Sequence, residues 1–185
     1  MLLVDYGAHG AMGIIINRPT RLSLAKVFPS IAPLGSHQYK LYIGGPVSPG
    51  QIVLLLRTDR PLRDTAHVFA NIFFSASEDT LRQLLLSSDH GEGFHAYRGY
   101  AGWGPGQLED EVGRGDWYLV SADSRSLFEM EPSEIWHELL HQSAGLWVQN
   151  AARNCRLVAT RTIIGRWQQS CGSPQLVASA PRPLG

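Results

Sequence analysis

The chain is poor in cysteine, lysine and long apolar runs, and each shortage narrows what it can be. Its two cysteines, Cys155 and Cys171, are too few to staple a scaffold, and neither belongs to a CxxC pair. A disulfide framework is excluded, and no redox motif or cysteine-type zinc site is indicated. No stretch reaches the ~18 consecutive apolar residues of a membrane helix. Met1-Leu2-Leu3-Val4-Asp5 has neither the basic lead nor the apolar length of a secretory signal. The expectation is a soluble, cytoplasmic protein with no membrane segment. Lys26 and Lys40 are the only lysines, so basic runs of the kind that grip nucleic acid are missing as well.

What is present suits one hydrophobic core. The chain has 185 residues, 44% hydrophobic and 17% charged, a balance that excludes a disordered chain. Zero net charge hides an asymmetry: residues 1–138 hold 11 basic and all 16 acidic side chains, whereas 139–185 hold five arginines and no acid. A shift this abrupt marks a change of segment. The body is expected over 1–142, and 143–185 is expected to be a poorly ordered tail. From Ser170 to Gly185 its Pro174, Pro181 and Pro183 lie among Ser, Ala and Gly and predict an unpacked terminus.

Along the body, short apolar runs separated by Gly and Pro predict strands with a few helices between them. Leu2–Tyr6 and Met12–Asn17 flank Gly7-Ala8-His9-Gly10 as a hairpin. Ser23–Phe28 reads as a short helix capped by Ser23, and Leu41–Ile43 as a strand running into Gly44-Gly45-Pro46. Ile52–Leu56 is a continuous apolar run of the kind buried on both faces. His67–Ser75 forms a strand pair or bent strand, and Ser77-Glu78-Asp79-Thr80 opens a helix. Phe94–Tyr100 is a strand, Gln107–Val112 a helix, Trp117–Ser121 a strand, and Pro132–Ser143 a helix with proline in its first turn. The mixture predicts an α+β domain.

Several patterns invite chemical readings. His137-Glu138-Leu139-Leu140-His141 is HExxH, the helical pair of zinc ligands with a glutamate base. A catalytic zinc needs a third protein ligand, and nothing after His141 is His, Asp or Glu. On a helix, Ile135, Trp136, Leu139 and Leu140 define the buried face and put both histidines on the solvent side. No metal or cofactor is therefore expected, and a zinc hydrolase on His137, Glu138 and His141 stands as the rival reading. The glycines of Gly99–Gly106 fit neither GxxxxGK[ST] nor GxGxxG, and Glu109, Asp110 and Glu111 would repel a phosphate from the helix that follows. Glu109 with Gln107, or Asp116 beside Trp117, offers carboxylates without a fixed separation. No GxSxG elbow occurs, and the body has no thiol.

Asn17 and Arg18 follow three isoleucines at a strand end. They either finish the strand or aim at a pocket. Gly44-Gly45-Pro46 is a turn that also lets a ligand or partner approach the backbone closely. A body at −5 argues against direct DNA binding, although Arg153, Arg156, Arg161, Arg166 and Trp167 would give the tail nonspecific affinity.

Gly10-Ala11-Met12-Gly13-Ile14-Ile15-Ile16-Asn17-Arg18-Pro19, then Gly44-Gly45-Pro46-Val47, then Gly99-Tyr100-Ala101-Gly102-Trp103 with Gly106-Gln107-Leu108-Glu109 and Asp116-Trp117, resemble the three signatures of the YqgE/AlgH family. The resemblance covers about residues 1–142. It implies a bacterial cytoplasmic protein whose sheet is flanked by helices, here a single α+β domain with a mainly antiparallel, flattened, barrel-like sheet. It implies no reaction; the family carries a transcriptional-regulator label. Members begin with a further strand ahead of the position of Met1, so either the start lies elsewhere or the sheet is expected to lack an edge strand here and expose its neighbour. They also stop soon after the helix at Pro132–Ser143. The expected function is regulatory binding of an unidentified small ligand or protein partner, any transcriptional effect being indirect. The candidate site gathers Asn17, Arg18, Gly44, Gly45, Pro46, Tyr100, Trp103, Gln107 and Glu109.

Overall fold

The computed structural model describes residues 1–27, 39–86, 93–141 and 175–179. In chain order the elements are β1 (Leu2–Gly7), β2 (Gly10–Ile14), β3 (Pro19–Ser23), α1 (Leu24–Val27), β4 (Lys40–Ile43), β5 (Val47–Arg57), β6 (Ala66–Phe69) and β7 (Ile72–Ser75). There follow α2 (Glu78–Leu86), β8 (Phe94–Trp103), α3 (Gln107–Gly113), β9 (Trp117–Ser121), α4 (Ser124–Phe128), a helix α5 over 132–141, and β10 (Gln175–Ser179). The strands form one sheet in the order β6-β7-β5-β8-β2-β1-β10-β9, with β4 joined to β8 and β3 to β4. The sheet curls into a nearly closed barrel. Among the described pairs only β4 with β8 is parallel, so the expected α+β, mainly antiparallel architecture is the one observed. No helix among the described residues is long and apolar enough to cross a membrane.

Alternation along the strands divides the core. Leu2, Val4, Ile14, Val53, Leu55 and Tyr97 face one way and pack against Leu127 of α4 and Ile135 and Leu139 of α5. Leu54, Leu56, Phe94 and Ala96 face the other way, against Leu24 of α1 and Leu81 of α2. The run Val53–Leu56 is thus buried on both faces, as its unbroken apolar character predicts. Leu3, Ala11 and Trp103 form a third cluster with Leu108 of α3. The β1–β2 hairpin closes through Gly7 paired with Gly10. The helix α4 starts where Asp123 accepts a hydrogen bond from the Ser126 amide at 2.8 Å.

The fold departs from expectation in places with local causes. The strand expected over Met12–Asn17 ends at Ile14, because the Ile15 amide leaves the ladder to donate to the Gly44 carbonyl at 2.8 Å. β3 and α4 are additional elements; Pro19 and Arg21 mask the first in the sequence and brevity the second. The larger correction concerns the tail. Gln175–Ser179, expected to be unpacked, is β10 and pairs with β9 from Gln175 opposite Ser121 to Ser179 opposite Trp117. It also pairs with β1 at Leu2 opposite Leu176. Gln-Leu-Val-Ala-Ser is a β-competent run that contains no proline. The rest of the tail expectation, over 143–174 and 180–185, lies outside the described residues, as do Phe28 and the end of the helix expected to reach Ser143.

Candidate functional site

The three glycine-rich signatures meet at the backbone. The Ile43 amide donates to the Arg18 carbonyl at 2.9 Å, and the Gly44 amide donates to the Arg98 carbonyl at 2.8 Å. Val47 pairs with Tyr100 across β5 and β8. A Cβ on Gly45 would lie 2.1 Å from the Tyr100 carbonyl carbon, and one on Gly99 would lie 2.5 Å from the Gly45 oxygen. Gly99 also has φ +66, which L side chains resist. Glycine is therefore required at both positions for the segments to touch.

That contact brings Asn17, Arg18, Gly44, Gly45, Pro46 and Tyr100 to one rim of the barrel. Arg18 and Pro46 are exposed, Asn17 and Tyr100 are half-buried, and Gly44 and Gly45 are buried beneath them. Two neighbours not singled out from the sequence stand out here: Ile43 is 43% exposed and Val47 37%, on strands whose interior residues are fully buried. No sequence signal separates them from core residues, since both are ordinary β-branched side chains in strands.

Trp103, Gln107 and Glu109 form a separate group. Gly102 pairs with Met12, which packs on the inner cluster, and a Cβ on Gly102 would touch the Tyr100 ring, so Tyr100 and Gly102 share a face. Ala11 and Trp103 pair and belong to the outer cluster with α3. Tyr100 and Trp103 thus point to opposite faces of β8. The nine candidate residues divide into a rim set of six and an outer set of three.

The outer set is a hydrogen-bonded knot. Glu111 Oε2 accepts from the Trp117 indole at 2.7 Å and the Trp103 indole at 2.9 Å, while its Oε1 accepts from Gln107 Nε2 at 2.9 Å. The two indoles meet edge to face at 5.8 Å. Burial pushes the Glu111 carboxyl up, but the bonds from Trp117, Gln107 and Trp103 and the charge of Arg114 outweigh it and hold the group below the ordinary carboxylate range. The Tyr6 hydroxyl donates to Glu109 at 2.5 Å. Burial first, then that bond and the charge of Glu109, hold the Tyr6 phenol well above its usual range. Asp116 pairs with Arg114 at 2.8 Å. These carboxylates tie α3 to the sheet, and the bond from Gln107 to Glu111 is the helical i,i+4 spacing that the sequence already displayed.

A third polar cluster lies at the far end of the inner core. His95 stacks on Tyr42 and lies 4.8 Å from the Phe128 ring. Burial, aided by the charges of Arg57 and Lys40, pushes its imidazole down to about 4. Arg57 sits over Phe128 and pairs with Glu129 at 2.9 Å. On α5, His137 and His141 are exposed while Ile135 and Leu139 are buried, the faces expected from the helical spacing. Among the described residues no three His, Cys, Asp or Glu side chains converge as a metal site would require.

Comparison with known proteins adds a lineage. The AlgH-like family model matches residues 1–147. A UPF0301 protein of Methylococcus capsulatus is 37% identical over 150 residues, covering 78% of this chain and 80% of the relative. One of Myxococcus xanthus is 34% identical, covering 76% and 77%. The solution structure of the AlgH protein from Pseudomonas aeruginosa superposes with a TM-score of 0.64 at 31% identity, covering 76% of each chain. A crystal structure from Corynebacterium diphtheriae, at 20% identity and a TM-score of 0.57 over 75% of this chain and 74% of that one, shares the fold.

Proposed function

This chain belongs to the AlgH-like family, and from that premise we propose that it works in the cytoplasm as a regulatory binding protein, taking a small ligand or protein partner at the barrel rim and affecting transcription only indirectly. One observation carries the reading. Segments around residues 15–18, 43–47 and 98–100 are locked together by backbone contacts that only glycine permits, yet they present the exposed Arg18, Ile43, Pro46 and Val47. Rigid backbone beneath exposed apolar and cationic side chains is what a recognition surface needs, and it does nothing for the core. Asn17 and Tyr100 flank this platform. Trp103, Gln107 and Glu109 support it from the opposite face of β8 by fixing α3.

The test is a photoreactive residue at Val47, with a second placed at exposed Glu78 on α2 as the control, in chains expressed in their own host. A discrete adduct at position 47 and none at 78, with hydrogen-exchange protection over 43–47 and 98–100, is expected. Adducts equally frequent at both positions, or none at 47, would overturn the proposal.

A further inference from the structure

The rim has a chemical sign as well as a shape. No acidic residue occurs between Asp5 and Asp59, and the same stretch contains Arg18, Arg21, Lys26, Lys40 and Arg57. It supplies the whole run from β2 to β5. Arg18, Arg21, Lys26 and Lys40 are exposed there, and Arg98, half-buried, pairs with Ile43 from the adjoining strand β8. Among the described residues none of these five cations is ion-paired, whereas Arg57, Arg82 and Arg114 each hold a carboxylate within 2.9 Å. Two of these cations share the rim with exposed apolar side chains: Ile43 and Val47 flank the turn next to Arg18 and Arg98, whose Nε donates to the Pro49 carbonyl at 3.1 Å, while Arg21 follows on β3 and Lys40 lies toward His95.

We propose that the rim docks an acidic polypeptide segment of a partner protein, whose carboxylates meet Arg18, Arg21 and Arg98 and whose apolar side chains cover Ile43 and Val47. The proposal rests on the binding role given above and names the class of partner. Charge complementarity sets the sign, and the exposed aliphatic groups provide the burial that a purely ionic contact lacks. A nucleic acid fits less well. The exposed groups among the cations are aliphatic rather than aromatic stacking platforms, and the carboxylates of α3 and α5 would repel an extended polyanion. Recognition is by side chains, because β3 is a poor template for an added strand. Pro19 has no N–H, the Leu22 amide is already bonded to Thr20 Oγ1 at 3.0 Å, and the β3–β4 register breaks between Pro19 and Ser23.

The test uses a fluorescein-labelled peptide of about ten residues alternating Glu with Leu or Phe, enough to cross the rim when extended, titrated with the full chain by anisotropy. Binding is expected to weaken about tenfold between roughly 20 and 200 mM salt. It should also weaken about tenfold in R18E/R21E and in I43S/V47S. An R125E chain, altered on α4 away from the rim, should bind like the parent, and circular dichroism melts confirm that each variant is folded. Equal binding by the rim variants, equal binding of a Lys-for-Glu peptide, or tighter binding of oligothymidine would overturn the proposal. If the peptide fails while Val47 still crosslinks selectively, the acidic-partner inference falls and the rim remains a binding surface. If both fail, both readings fall.

Discussion

Replacing Glu111 by alanine removes the acceptor that holds two indoles and an amide at once, and the geometry sets the size of the loss. Trp103 is buried, so its indole N–H, bonded at 2.9 Å in the native fold, is left without a partner. Stranding such a donor costs about 1–3 kcal/mol. Trp117 is only half-buried and recovers some hydration, adding about 0.5–1 kcal/mol. The expected total is about 2–3 kcal/mol, a fall of roughly 5–10 °C in Tm for a domain of this size. Glu111→Gln keeps one carbonyl oxygen for the indoles and should lose about half as much. The pH dependence has a definite sign. The folded carboxyl titrates below its ordinary value of 4.5, so its contribution is complete above that pH and disappears as pH falls through the folded value. The gap between parent and Glu111→Gln in urea midpoint should therefore be widest near neutrality and close in acid. An alanine variant within about 0.5 kcal/mol of the parent at pH 7, with unchanged m-value, would refute the knot as a stabilising device.

Other outcomes follow from the same geometry. His95, held neutral with its imidazole at about 4, favours the folded state fully above about 6.5 and progressively less as pH falls toward 4. His95→Phe should flatten that part of the stability profile by up to about 3 kcal/mol, and an unchanged slope would show that another group carries it. Gly99→Ala should cost more than about 2 kcal/mol, from positive φ and the 2.5 Å approach to Gly45, while Gly50→Ala, with open space around it, should be neutral. Equal melting temperatures for the two would contradict the locked rim. A chain ending at Pro174 should lose amide exchange protection over Trp117–Ser121 while β5 and β8 keep theirs, because among the described strands β9 joins the sheet through β10. Retained protection in β9 would show that β10 does not anchor it.

Much of the fold was legible because its signals are local. The hairpin at Gly7–Gly10, the doubly buried run Val53–Leu56 and the strand Trp117–Ser121 each announce themselves within a few residues. The solvent-facing histidines of α5 follow from helical angle alone. The site was legible only in part. Tyr100 and Trp103 lie in one signature and suggest a single cluster, but alternation along β8 sends Tyr100 inward and Trp103 outward. An offset of three on one strand puts two side chains on opposite faces, so this division was available once Phe94–Trp103 was read as a single strand. Ile43 and Val47 escaped notice because exposure is a property of the closed sheet, and the carboxylates suggestive of chemistry, Glu109 and Asp116, are engaged by Tyr6 and Arg114. β10 was missed because its five residues acquire meaning only from strands β1 and β9, far away in sequence.

The pairing of Leu2 with Leu176 sets a timetable for the molecule. On a growing chain β1 is made long before its neighbour β10, with every other strand of the sheet lying between them in sequence, so the sheet cannot close until β10 arrives. Until then β1 has one unoccupied flank and β9 lacks the strand that seats it. Contacts this distant in sequence slow folding, and unpaired strand edges invite mispairing during the wait. The arrival of β10 is thus the step at which this barrel either seals or becomes prey to aggregation and chaperone capture.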